Sequence, residues 1–174
     1  MDTHNITTAD AVRNAPAATV WRYDDGGRAW DGFTGNTGDC VTRAIAIATG
    51  SPYREVCNEL FQRNKEFATT SRSRKALLTA NRGASPRNGV WGTEVGRPYL
   101  LSLGWTWHPT MSIGSDCKVH LRAGELPNGR LIVAVSRHWV AVIDGVVHDT
   151  HDCTRGGCRC VYGYFRRNPS GSAS

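Results

Sequence analysis

The chain has 174 residues, 40% of them hydrophobic and 9% aromatic, with 21 basic and 15 acidic side chains for a formal charge of +6. That length suits a single domain with one core, and the apolar share excludes an intrinsically disordered chain. No apolar run approaches the roughly 18 residues that span a bilayer, and Met1 to Ala11 lacks the basic start and apolar stretch of an export signal.

Residues 1–18 are rich in Thr, Ala and Asn without periodicity and read as a flexible lead-in. Val20 to Tyr23 predicts a short strand, and Asp24-Asp25-Gly26-Gly27 a turn. A Gly-rich approach from Asp31 to Asp39 ends at an apolar pattern of helical period, Val41, Ala44, Ile45 and Ala48, closed by Gly50. Asp39 is the expected N-cap, its carboxylate accepting from first-turn amides, and Cys40 then opens the helix. Ser51-Pro52 predicts a second helix start; Val56, Leu60 and Phe61 form its apolar face, it runs to about Ala68, and Cys57 reads as a small core residue. Residues 69–93 read as a loop with one helical turn around Lys75 to Ala80. Thr93 to Leu103 reads as a short helix starting near or broken by Pro98 and ended by Gly104.

The last third changes character. Trp105 and Trp107 alternate as in a strand, and Val119 to Leu126 is a polar connection. Leu131–Val135 and Trp139–Ile143 are buried strands, and Asp144-Gly145 is a strong hairpin signal that folds Val146-Val147 back. Val161 to Phe165 closes the sheet, and 168–174 read as a disordered tail. Helices first and antiparallel strands afterwards give an α+β chain, with a single domain over 19–167.

Six cysteines without an export signal predict a reducing compartment, the cytoplasm, where free thiols, metal ligands or a nucleophile come before disulfides. A thiol attacks an acyl carbon as thiolate, and a helix N-terminus or a neighbouring imidazolium favours that form. Cys40 has the first by position. His138, opening a buried strand after Ser136-Arg137, is the candidate for the second. A two-residue turn at Asp144-Gly145 pairs Ile143 with Val146, Val142 with Val147 and Ala141 with His148. Asp149 thereby returns beside His138 and becomes the candidate that fixes the imidazole tautomer, in preference to Asp144 in the turn.

The segments Gly38-Asp39-Cys40 with its helix, Arg137-His138-Trp139-Val140-Ala141-Val142, and Val147-His148-Asp149-Thr150 resemble the papain-like cysteine peptidase superfamily, particularly its C39-like branch. The chain also resembles small proteins carried by bacteriophages of actinobacteria. The resemblance covers three short motifs. It implies a papain-like fold, N-terminal helices on a C-terminal antiparallel sheet, and thiol hydrolysis of a peptide, isopeptide or related amide bond by Cys40, His138 and Asp149 without a cofactor. A phage origin would place the protein in the host cytoplasm. Where papain-like enzymes carry a glutamine that donates to the oxyanion, this chain has Thr34; Asn36 is the nearest amide side chain and, with the Cys40 backbone amide, is the candidate oxyanion donor.

A rival constellation is His148, His151, Cys153, Cys158 and Cys160, whose ligand types suit zinc but whose spacings do not match a Cys-x2-Cys knuckle. The reading placed ahead of it is a polar loop with two sulfurs facing inward and no metal, and a redox pair of Cys153 with Cys158 is an alternative. The basic stretch Arg63, Lys65, Arg72, Arg74, Lys75, Arg82 and Arg87 reads first as a solvated helix face. It alternatively suits an acidic or ubiquitin-like protein or peptide substrate. Nucleic acid is not expected, because no recognition motif accompanies the charges, and neither is a membrane; the oligomeric state stays open. Three functions stand: the hydrolase, a transglutaminase-type acyltransferase with the same triad, and a non-catalytic phage protein that inhibits a host factor through its basic surface.

Overall fold

The computed structural model describes residues 19–35, 37–112 and 114–167. The expected lead-in over 1–18, the tail over 168–174 and the candidate donor Asn36 lie outside them. The described elements are β1 (Trp21–Tyr23), α1 (Cys40–Thr49), α2 (Tyr53–Thr70), α3 (Arg74–Arg82), a 3-10 turn (Pro86–Asn88), a π-helical turn (Gly92–Gly96), α4 (Arg97–Ser102), β2 (Trp105–Pro109), β3 (Arg130–Val135), β4 (His138–Ile143), β5 (Val146–Asp149) and β6 (Val161–Arg167). The chain is therefore α+β, with four α-helices and one six-stranded mixed sheet among the described residues.

Strand order is β1-β5-β4-β3-β6-β2. Two features differ from expectation. The sheet is not purely antiparallel, because β1 pairs parallel with β5 along one edge. Nor does β6 close the sheet; it lies between β3 and β2, antiparallel to both. Its apolar pattern marks a buried strand but carries no information about which neighbours it takes.

Side chains alternate across the sheet with period two. On one face Ile132, Ala134, Trp139, Ala141 and Phe165 meet the helices, α1 chiefly across β4. On the other, Leu131, Val133, Val140 and Val142 meet Leu121 and Cys153 from the two long connections. Burial on both faces explains why β3 and β4 read as continuous apolar runs rather than alternating ones.

Local chemistry fixes the element ends. Gly50 takes the left-handed conformation that closes α1, donating its N–H to Ala46 O. Asp144 and Gly145 both have positive φ, +48° and +79°, as the two-residue hairpin turn requires. The resulting register is the one expected: Ile143 opposite Val146, Val142 opposite Val147, Ala141 opposite His148. Pro52 occupies the cap position of α2 rather than its first turn. Where a loop with one helical turn around Lys75 to Ala80 was expected, α3 is a full helix over Arg74–Arg82: Ser73 Oγ accepts from Ala76 N–H and caps it, and Thr79 Oγ1 accepts from the Trp91 indole N–H. Polar composition hid its extent.

Cys117 and Cys160 form a disulfide, although free thiols, metal ligands or a nucleophile were expected ahead of disulfides. It pins the connection between β2 and β3 to the start of β6. Cys57 is buried, as expected. No helix among the described residues is long and apolar enough to cross a membrane.

Candidate active site

Cys40 is the first residue of α1. The N–H of Arg43 closes the first helical turn on Asp39 O, so the amides of Cys40, Val41 and Thr42 precede the intrahelical ladder and turn their partial positive charge toward the thiol. Burial pushes the Cys40 thiol up, but a hydrogen bond and charge from His138, the Trp139 N–H and the Arg43 charge outweigh it. The net result is a pKa below the ordinary value.

His138 opens β4, the strand that α1 crosses, and this brings its ring to Cys40. The hairpin returns β5 alongside, and His138 Nε2 lies 2.6 Å from Asp149 Oδ2. With Nε2 so engaged, Nδ1 is the ring nitrogen left for a thiol. Burial pushes the imidazole down; hydrogen bonds from its ring N–H groups to Asp149, Cys153 and Cys40, with the Cys40 charge, push it well above its ordinary value. Burial raises Asp149, but the His138 contact and charge, the Thr150 N–H and Arg43 hold it low, at about 2. All these shifts favour the thiolate–imidazolium form.

Sequence reasoning missed what holds Asp149. The guanidinium of Arg43, one turn along α1 from Cys40, donates through Nη2 to Asp149 Oδ1 at 3.0 Å and through Nη1 to Asp39. Asp39 is fully buried and also accepts from Tyr53 Oη at 2.7 Å and Arg28 Nη1 at 3.4 Å. It stands at the N-cap position yet makes no side-chain capping bond. The expected cap is thus a buried counter-ion instead: a carboxylate surrounded by two guanidiniums and a phenol satisfies more donors there than by turning to the helix amides. The legible signal was Arg43 itself, a charged residue on an otherwise apolar helix face, four residues after an aspartate.

A cavity of about 530 Å³ opens beside Cys40 and His138, walled by Trp91, Trp107, Trp139, Tyr162 and Phe165. The wall is rigid. Trp107 and Trp139 pack on Phe165 with ring centroids 4.7 and 5.1 Å away, and a Cβ on Gly92 would fall 2.7 Å from the Trp139 ring. At Thr34 the backbone O accepts from Arg87, so this position serves the loop.

The rival metal set is not brought together. Cys160 is in the disulfide, Cys158 is exposed against Arg155 O, and His148 Nδ1 pairs with Asp24 at 3.0 Å. His151 stacks obliquely on His138, centroids 5.4 Å apart. Cys153 is buried while Cys158 is exposed, and both are free thiols. Cys153 instead joins His138 and Asp149, the ligating atoms of these three lying within 4.8 Å of one another. Arg43 disfavours a cation there, since its positive charge already sits on Asp149. Of the basic stretch, Arg63, Lys75, Arg82 and Arg87 have structural partners, in Glu59, Glu94, Gly89 O and Thr34 O.

No protein-family model, characterised protein or solved structure matches the chain. The functional reading therefore rests on the site alone.

Proposed function

We propose that the chain is a papain-like thiol hydrolase that cleaves a peptide, isopeptide or related amide bond. The observation that carries this reading is the His138 ring, held by Asp149 at 2.6 Å and lining one aromatic cleft together with Cys40. The Cys40 thiolate attacks the carbonyl carbon, and the electron pair displaced onto oxygen is met by the Cys40 N–H. Collapse breaks the C–N bond while His138 Nδ1–H protonates the departing amine. His138 then takes a proton from water, whose oxygen attacks the thioester; the C–S bond breaks, releasing the acid and the Cys40 thiolate beside the imidazolium. Asp149 holds the ring in the tautomer that both steps need. An amine in place of water gives acyl transfer by the same atoms.

The test is alkylation with iodoacetamide at mildly acidic pH, read residue by residue by mass spectrometry. Cys40 is expected to react about tenfold faster than exposed Cys158, because it holds more thiolate there. His138→Ala removes that advantage. Uniformly slow free thiols, or Cys158 reacting first, would overturn the proposal.

A further inference from the structure

The cleft beside Cys40 carries charge as well as aromatic surface. Four ionic side chains line it apart from His138: Lys75, Glu94, Arg97 and Arg137. Glu94, its single carboxylate, is held by Lys75 Nζ at 2.6 Å, so these two cancel. Arg97 and Arg137 are exposed, and among the described residues neither has a carboxylate within ion-pair distance. The mouth of the cleft is therefore left with two uncompensated guanidiniums.

Both are placed rather than scattered. The Arg97 guanidinium lies over the Trp107 ring, 5.8 Å from its centroid, so the aromatic wall holds it at the rim. Arg137 sits in the two-residue turn before His138 with φ of +56°. Glycine or asparagine adopts that conformation with less strain. Backbone demand alone does not select arginine there, and its neighbour in the chain is the ring that contacts Cys40.

We propose that this cleft selects an acyl donor bearing a carboxylate side chain next to an apolar one, with Arg97 and Arg137 reading the carboxylate and the tryptophan wall taking the apolar group. Guanidinium forks suit a carboxylate in geometry as well as charge. The inference rests on the hydrolase reading for its word "donor", but the selectivity itself is a binding property and is measured without turnover.

The experiment uses Cys40→Ala protein and acetylated, amidated hexapeptides with Leu beside Asp, Asn or Lys, the pair placed at each position in turn. Binding is followed by the change in tryptophan fluorescence, three of the six tryptophans (Trp91, Trp107 and Trp139) lining the cleft. At low salt the best-placed Asp peptide is expected to bind roughly five- to tenfold tighter than its Asn counterpart, and Lys weaker still, the gap narrowing as salt is added. In Arg97→Glu/Arg137→Glu protein, with Cys40→Ala retained, the order is expected to reverse toward Lys. Both arginines are exposed, and a thermal melt checks that the double variant stays folded.

Equal binding of all three peptides would overturn the proposal. So would an Asp preference that survives the double reversal, because it would then come from the overall +6 charge. If Asp selectivity holds while Cys40 of the unmodified chain proves inert to iodoacetamide, the acidic ligand stands and the hydrolase falls.

Discussion

Replacing Asp39 by Ser separates two roles that look identical in sequence. Serine is as good an N-cap as aspartate, so a capping Asp39 would tolerate the change within about 0.5 kcal/mol. The structure gives Asp39 a different task. Its carboxylate is fully buried and accepts from Arg43, Tyr53 and Arg28, and it offers nothing to the helix amides. Removing one partner of a buried ion pair costs about 3–5 kcal/mol, because the remaining charge stays desolvated without compensation. Arg43 keeps Asp149, which moderates the loss, while the Tyr53 hydroxyl loses its acceptor, which adds to it. We expect Asp39→Ser to lower stability by about 3 kcal/mol. In a chain of this length that is a fall of roughly 10 °C in Tm. Urea unfolding followed by circular dichroism gives the free energy directly. A double-mutant cycle with Arg43→Met should show a coupling of at least about 1 kcal/mol. An Asp39→Ser protein within about 0.5 kcal/mol of the parent, or strict additivity with Arg43→Met, would refute the counter-ion account.

The remaining expectations concern pH, packing and the disulfide. Cys40 is held below its ordinary pKa and His138 above its own, so the alkylation rate of Cys40 should rise with pH along a limb displaced below the ~8.5 of a free thiol; a limb at 8.5 or above contradicts the thiolate–imidazolium pair. Asp149 is depressed to about 2, so its contribution to stability is complete above its unfolded pKa and is lost as pH falls from about 4 through about 2. Asp149→Asn should flatten that acid limb of the stability profile, and an unchanged limb would assign it to other carboxylates. Gly92→Ala drives a methyl into the Trp139 ring and should cost about 1–3 kcal/mol, with a shift in tryptophan emission; a neutral effect would mean that the cleft wall yields. Cys117→Ala/Cys160→Ala opens a loop of 43 residues in sequence separation, and chain entropy alone predicts a loss of about 4 kcal/mol, measured against the oxidised parent by the same urea titration.

Much of the fold was legible because strong local signals agreed. Asp144-Gly145 between two apolar runs fixes a two-residue turn, and that turn fixes the register by which Asp149 faces His138. The polar helix α3 was legible only as a single turn around Lys75 to Ala80, since Arg74, Asn81 and Arg82 resemble a loop until Ser73 caps the helix and Trp91 reaches back to Thr79. The interior position of β6 and the parallel edge strand β1 depend on long-range pairing. Strand periodicity reports burial and not neighbours, so neither was recoverable from the local pattern.

The candidate site divides along the same line, between what a turn dictates and what only packing reveals. Cys40 follows from a helix start and Asp149 from a hairpin, and both were within reach. Arg43 follows from neither. Its signal was energetic: a guanidinium only 5% exposed in the middle of an apolar helix must have buried acceptors, because an unpaired buried charge is not tolerated. Two aspartates stood near enough in the folded order, and assigning Asp39 to the cap removed one of them from consideration. The consequence is mechanical as well as electrostatic. Arg43 ties the helix that carries Cys40 to the strand that carries Asp149, so one guanidinium sets both the charge around the imidazole and the spacing of the elements on either side of it. A lysine at this position would supply the charge without the fork, and could hold Asp39 or Asp149 but not both in the observed geometry. Arg43→Lys should therefore keep most of the stability that Arg43→Met loses, yet slow alkylation of Cys40 as the His138–Asp149 pair loosens. Retention of the full Cys40 rate in Arg43→Lys would show that charge alone suffices.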